Sequence, residues 1–396
     1  MAWEKIKEEI YQSVDIKKNI EKLGNDLTFA DVPEHVRTKH VHRLHPYLGK
    51  FIPQLVEVFL KKFFLPGQHV LDPFSGSGTT LVEANVLGVH ATGIELSPFN
   101  VLIQRVKTAK YDIPLLRKEL HDALGRLERF INGEKTLFNS EARNIDVENV
   151  SDYLKKWYAP QALRELLFYK SIIDDYTYKD VMKIILSRAA RSARMIPHYE
   201  LARPKKPVTE PYWCKKHKRI CEPVREAYKF LHRYTKDTLD RIIEFDRLRT
   251  DAQINIIQGD TRFVHLPENS QFDGIFTSPP YIGVIDYHEQ HRYAYELLDI
   301  PRFDDYEIGP ASKGQSKKAQ QEYFNDMVKA LRNVLKHVKK GGNVFIVAND
   351  KFNLYPTIGK TVGLKLIDVY NRPVLMRTER TGKTYYESIF HFVFEG

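Results

Sequence analysis

Five consecutive residues, Thr277-Ser278-Pro279-Pro280-Tyr281, combine two hydrogen-bond acceptors, a stiff backbone and a flat ring. Neither proline has an N–H to donate and each fixes its own φ, so the Ser278 hydroxyl and the Pro279 carbonyl are held pointing out of the chain. Tyr281 adds a face on which a planar group stacks. The apolar run Phe272-Asp273-Gly274-Ile275-Phe276 just before them predicts a buried strand whose carboxyl end carries the turn. Open α/β sheets bind ligands at that end. The chemistry implied is the grip of a flat amine, although a Pro-Pro-aromatic run also suits an ordinary loop.

A second stretch, His69-Val70-Leu71-Asp72-Pro73-Phe74-Ser75-Gly76-Ser77-Gly78-Thr79-Thr80, reads as a strand, a glycine-rich turn and a helix start capped by threonine. Gly76 and Gly78 let backbone approach a ligand closely, and the helix aims N–H groups at an anion. The lysine of a P-loop is absent, which excludes that class of phosphate cradle. Val89 to Glu95 predicts the next strand, and an acid at its tip, about 20 residues past the turn, suits a ribose diol. Ile254 to Asp260 predicts a further strand, again ending in an acid.

Together these turns resemble those of the DNA amino-methyltransferases that use S-adenosylmethionine, with their Asp-Pro-Phe-x-Gly-Ser-Gly-Thr-Thr and Ser/Asp/Asn-Pro-Pro-Tyr motifs. The resemblance covers residues 40–110 and 255–396 and leaves the middle largely uncovered. It implies that Gly76, Gly78, Thr79 and Thr80 hold the methionyl carboxylate of the cofactor and that Asp72 faces its amino group. Phe74 belongs to the same turn, and Lys50-Phe51 packs against the methionine half. Glu95 takes the ribose, Leu96 to Phe99 run along the adenine, and Asp260 accepts from the adenine amino group. Ser278, Pro279, Pro280 and Tyr281 form the catalytic turn. An exocyclic base amine is a poor nucleophile until hydrogen bonds to its protons pull the nitrogen towards tetrahedral geometry, and the base must leave the duplex to be reached. Ser at position 278 favours cytosine N4 as the target. Adenine N6, an RNA amine, or a non-catalytic DNA-binding protein of this fold are the alternatives. Attack from cytosine C5 is disfavoured, because it calls for a cysteine after proline, and Cys214 and Cys221 follow Trp213 and Ile220.

The elements that position these residues follow from pattern and composition. The fold class expected is α/β: a mostly parallel, doubly wound sheet with a reversed last strand, helices on both faces, and a mainly helical insertion. The chain divides into 1–110, an N-terminal segment with the cofactor-binding half, 111–250, the insertion, and 251–396, the catalytic half. Helical periodicity marks Leu115–Ile131, Pro160–Asp175, Val181–Met195 and Pro223–Leu248 within the insertion, then Gln321–Val338 up to Lys340-Gly341-Gly342. A hairpin of Leu366–Met376 and Tyr385–Phe394, turning at Thr381-Gly382-Lys383, closes the chain.

With 61 Lys and Arg against 51 acidic residues in 396, the net charge is +10 and suits a polyanion such as double-stranded DNA. Lys215, Lys216, Lys218 and Arg219, interleaved with aromatics on a Pro-rich loop, are the expected groove-probing element, with His288, Arg292 and a mobile basic loop Ser312–Lys318 as further contacts. Cys214, His217 and Cys221 are spaced to share a zinc ion with His198 or His232, but the reading taken is two thiols on a basic loop and no metal site. Two cysteines exclude a disulfide framework. The N-terminus lacks the apolar run of a signal peptide and no segment is long enough to span a bilayer, so a cytoplasmic protein is expected, paired with a restriction endonuclease.

Overall fold

The computed structural model describes residues 27–29, 32–47, 49, 51–133, 145–201, 204–374 and 385–396. Lys50, the first 26 residues and the turn Thr381-Gly382-Lys383 lie outside them.

Alternation along the central strands builds the sheet. In β6 (Phe272–Thr277) Ile275 faces one way and Phe276 the other, and in β7 (Val338–Ala348) Val344 and Ile346 oppose Phe345 and Val347. Each set seeds a core of its own, so both faces need helices. α1 (Pro53–Phe63) and α2 (Thr79–Val86) cover the Phe276 and Phe345 face. α11 (Lys317–Leu335) and α12 (Tyr355–Thr361) cover the other.

The seven strands run in the order β5-β2-β1-β6-β7-β9-β8, with β1 (His69–Asp72), β2 (His90–Glu95) and β5 (Ile254–Gln258) on one side of β6. Neighbours from β5 to β7 are parallel. β9 (Tyr385–Phe394) lies antiparallel between β7 and β8 (Leu364–Val374), and is the reversed last strand. Pro373 is tolerated in β8 because that strand is the sheet edge. The order reverses between β1 and β6, which opens a crevice at their carboxyl ends.

The insertion enters after α3 (Pro98–Thr108) as α4 (Ile113–Asn132), α5 (Asp152–Trp157), α6 (Pro160–Ile172), α7 (Lys179–Ala193) and α8 (Tyr228–Asp246). Beyond the catalytic turn come α9 (Tyr287–Gln290) and α10 (Arg292–Leu298), and the apolar faces of the insertion share one core with Phe99, Ile103 and Val106 of α3 and with Tyr293, Tyr295 and Leu297 of α10.

Three local expectations are corrected. The basic loop between α7 and α8 is a hairpin of β3 (Tyr212–Cys214) and β4 (Arg219–Cys221), whose three-residue strands are too short to show a period. β7 begins at Val338 and runs through Gly341 and Gly342, because Val338 already pairs with Phe272 ahead of a bulge. Ser312–Lys318 is no open loop: Ser316 caps α11, which starts at Lys317, and a short 3₁₀ turn spans Ala311–Lys313.

Candidate active site

The glycine turn is shaped by two left-handed residues. Gly78, at φ 79°, takes the position before α2 where the sequence suggested a threonine cap; no side chain caps this helix. A Cβ there would meet Gln104 Cγ at 2.9 Å and would be strained at that φ, so the turn calls for glycine at position 78. Gly76, at φ 49°, is the glycine that faces the cavity, where a Cβ would come within 3.3 Å of the Tyr47 hydroxyl.

Above the switch point lies a cavity of about 820 Å³, part of it open to solvent. Phe74, Gly76, Thr79, Glu95, Leu96 and Asp260 line it, together with Ser278 and Pro280 of the catalytic turn. Asp72 and Thr80 lie beneath. Asp72 accepts from Thr277 Oγ1 at 2.6 Å and from the Phe74 N–H at 3.2 Å. Burial raises its carboxyl to about 6 in spite of those bonds and of one from Thr80. Asp72 therefore ties the glycine turn to the strand that delivers Ser278.

Glu95 ends β2 with its carboxylate towards the cavity. Oε1 accepts from the Ser97 N–H at 2.8 Å and from Asn100 Nδ2 at 3.3 Å. Ser97 in turn caps α3, with Pro98 in the first turn. Desolvation pushes the Glu95 carboxyl up to about 7 against these bonds. Asp260 also lines the cavity, but its carboxylate is clasped by the Arg262 guanidinium at 2.6–3.1 Å, so it presents an ion pair to a ligand.

The catalytic turn is braced from outside the cavity. Tyr323 Oη donates to the Pro280 carbonyl at 2.8 Å, and Tyr281 Oη donates to Glu387 at 2.9 Å, which Arg372 holds in place. Tyr281 is half-buried and is not among the residues that line the cavity. Ser278 carries no such brace among the described residues.

Several lining residues carry no motif. Tyr47 stacks on Tyr287, with ring centres 6.1 Å apart, and forms a lid over the glycine turn. Glu307 accepts from the N–H groups of Tyr287 at 3.0 Å and His288 at 2.7 Å, and contacts His288 Nδ1 at 2.5 Å. His288 is buried in this arrangement and lines the cavity, so it offers nothing to a phosphate outside. Arg292 is half-exposed but engaged, with Nε 3.0 Å from Glu296 and its guanidinium over the Tyr153 ring. Lys215, Lys216, Lys218 and Arg219 are exposed on the β3–β4 hairpin, with Lys215 Nζ 5.6 Å from the centre of the Tyr199 ring, and none of them lines the cavity.

The residues present fit S-adenosylmethionine. A polar cradle at a helix start, a carboxylate at the tip of the neighbouring strand and the buried Ser77 Oγ, which lines the cavity with no partner among the described residues, are what its charged and hydroxylated parts require.

Residues 2–104 match the family described as DNA methylase. The Type II methyltransferase M.MjaII of Methanocaldococcus jannaschii is 42% identical over 99% of this chain and 90% of its own length. The Type II methyltransferase M.MvaI of Kocuria varians is 24% identical over 67% of this chain and 59% of its own. Among solved structures, the rRNA methyltransferase aviRa from Streptomyces viridochromogenes aligns with TM-score 0.35 and 9% identity over 93% of this chain and 96% of that one. Joined by kinship along nearly its whole length to a Type II methyltransferase, and carrying both motif turns on one cavity, the chain belongs to the DNA amino-methyltransferase family and is an S-adenosylmethionine-dependent methyltransferase.

Proposed function

We propose that this enzyme methylates cytosine N4 at a specific sequence in double-stranded DNA, as the modifying half of a restriction–modification pair. The observation that carries the reading is the placement of Ser278 and Pro280 on the same cavity as Gly76 and Glu95. S-adenosylmethionine supplies an electrophilic methyl group. The protein's own task is to present a weakly nucleophilic amine to it. Ser278 Oγ and the Pro279 carbonyl accept from the two amine protons, and Asp72, Tyr323 and Glu387 fix the turn so that these acceptors need not reorganise. Tyr281, its hydroxyl anchored, offers the ring face on which the flipped base stacks.

The DNA-facing surface lies on the insertion and the segment before α1. Trp213 and Ile220, opposite each other on β3 and β4, are 57% and 61% exposed beside the basic tip, an apolar wedge within a cationic edge. A cleft of about 770 Å³ lined by Arg43, Arg188, Arg191 and Arg233 supplies a second basic surface that no motif announced. Arg188 is partnered by Asp237, which lines the same cleft, and the arginines around it outnumber that one carboxylate, which suits a phosphate.

The test is methylation of duplex DNA with labelled cofactor, followed by digestion to nucleosides and mass analysis. N4-methylcytosine is expected. N6-methyladenine would move the target base, and label transferred to RNA but not to DNA would overturn the reading.

A further inference from the structure

The β3–β4 hairpin poses a problem of stability. Two strands of three residues are marginal on their own, and its outer face spends Trp213 and Ile220 on solvent. Its inner face carries Cys214 and Cys221, both buried and unbridged. The antiparallel register, Tyr212 opposite Cys221 and Cys214 opposite Arg219, puts the two thiols on one side. The turn between them folds back through the Lys218 N–H to the Cys214 carbonyl at 2.7 Å, with Lys218 at φ 53°, and brings His217 Nδ1 to 3.4 Å from Cys221 Sγ. His198, in the segment that follows α7, donates its N–H to Tyr212 Oη at 3.1 Å and sets its own Nδ1 3.7 Å from Cys214 Sγ. All four donor atoms lie within 4.8 Å of one another.

We propose that His198, Cys214, His217 and Cys221 hold one zinc ion that fastens the hairpin to the body of the insertion. Tetrahedral coordination, with zinc about 2.3 Å from sulfur and about 2.0–2.1 Å from nitrogen, sets donor atoms roughly 3.3–3.8 Å apart, which brackets both sulfur–nitrogen distances. Two thiolates with two imidazoles select zinc over the hard cations, and four protein ligands leave no open position, so the site is structural. His232, the other candidate for the fourth ligand, is not in the cluster. A second cluster of donors, His40, His42 and Glu83, is different in kind, because Lys39 Nζ already sits 2.9 Å from the Glu83 carboxylate and supplies the cation.

The experiment is metal analysis of the full-length protein, purified without chelators from zinc-supplemented cells. About one zinc per chain is expected in the wild type, and less than about a tenth in the Cys214→Ser/Cys221→Ser double variant, with cofactor binding retained as the sign that the sheet is intact. Cobalt loaded into the wild type should give the intense visible bands of a tetrahedral sulfur–nitrogen site, a readout that needs no variant. A metal-free wild type that takes up neither ion, a Cys214–Cys221 disulfide by mass, or full zinc in the double variant would each overturn the proposal. The metal count is independent of which nucleic acid is methylated, so the two readings fail separately.

Discussion

Burial pushes the Glu95 carboxyl up to about 7, against the hydrogen bonds from Ser97 and Asn100 that pull it down. A diol that donates to this group favours the ionised form. Cofactor affinity is then complete above about pH 7 and weakens as pH falls, by up to about tenfold per unit, until the carboxyl of the complex is itself protonated. Calorimetric titration of wild type and Glu95→Gln across that range checks the sign: the variant should bind more weakly at high pH and show a flat profile. A flat wild-type profile would remove Glu95 from the ribose. At the catalytic turn, Ser278 braces nothing among the described residues, so Ser278→Ala should leave cofactor and DNA affinity in place while single-turnover methyl transfer falls on the order of a hundredfold or more. Full activity in that variant would sink the role given to its hydroxyl.

Among the elements, the segment before α1 does unexpected structural work. Lys39 and His42 reach into the protein to Glu83 of α2 at 2.9 and 2.7 Å, and Lys39 also meets Glu57 of α1 at 3.0 Å. This network holds the stretch that ends in Tyr47, the lid of the cavity. Glu83→Ala takes the carboxylate from His42 and one of two carboxylates from Lys39, which keeps Glu57, and should cost on the order of 1–3 kcal/mol of stability, read from the denaturant midpoint, with Glu83→Gln milder because it keeps an acceptor for His42. No periodicity signals such a role for Lys39 or Glu83. Legibility followed the physics of each part. β1, β2 and β6 could be read because buried parallel strands are apolar runs and their turns carry residues whose φ or missing N–H is diagnostic. Tyr47, Tyr287 and Glu307 could not, since contacts between distant segments alone bring them to the cavity. The strands of the hairpin were too short to read, and the choice of His198 over His232 needed three dimensions.

At the scale of the whole molecule, the net charge of +10 suits a polyanion, and the exposed hairpin tip and the arginine cleft are two places where cations gather. Replacing Lys215, Lys216, Lys218 and Arg219 by Ala should weaken DNA binding and lower the slope of log affinity against log salt by roughly 0.9 for each phosphate no longer neutralised, with cofactor affinity unchanged. An unaltered slope would take the hairpin off the DNA. The sheet order has a further consequence in time. β1 is flanked by β2, which leaves the ribosome soon after it, and by β6, whose Thr277 bonds to Asp72 across 205 residues of chain. At roughly 5–20 residues per second, the nascent half-sheet waits on the order of ten to forty seconds with one edge of its central strand unpaired. During synthesis the glycine turn exists long before there is a serine to face it, so a chain released early is an aggregation hazard that cannot alkylate anything.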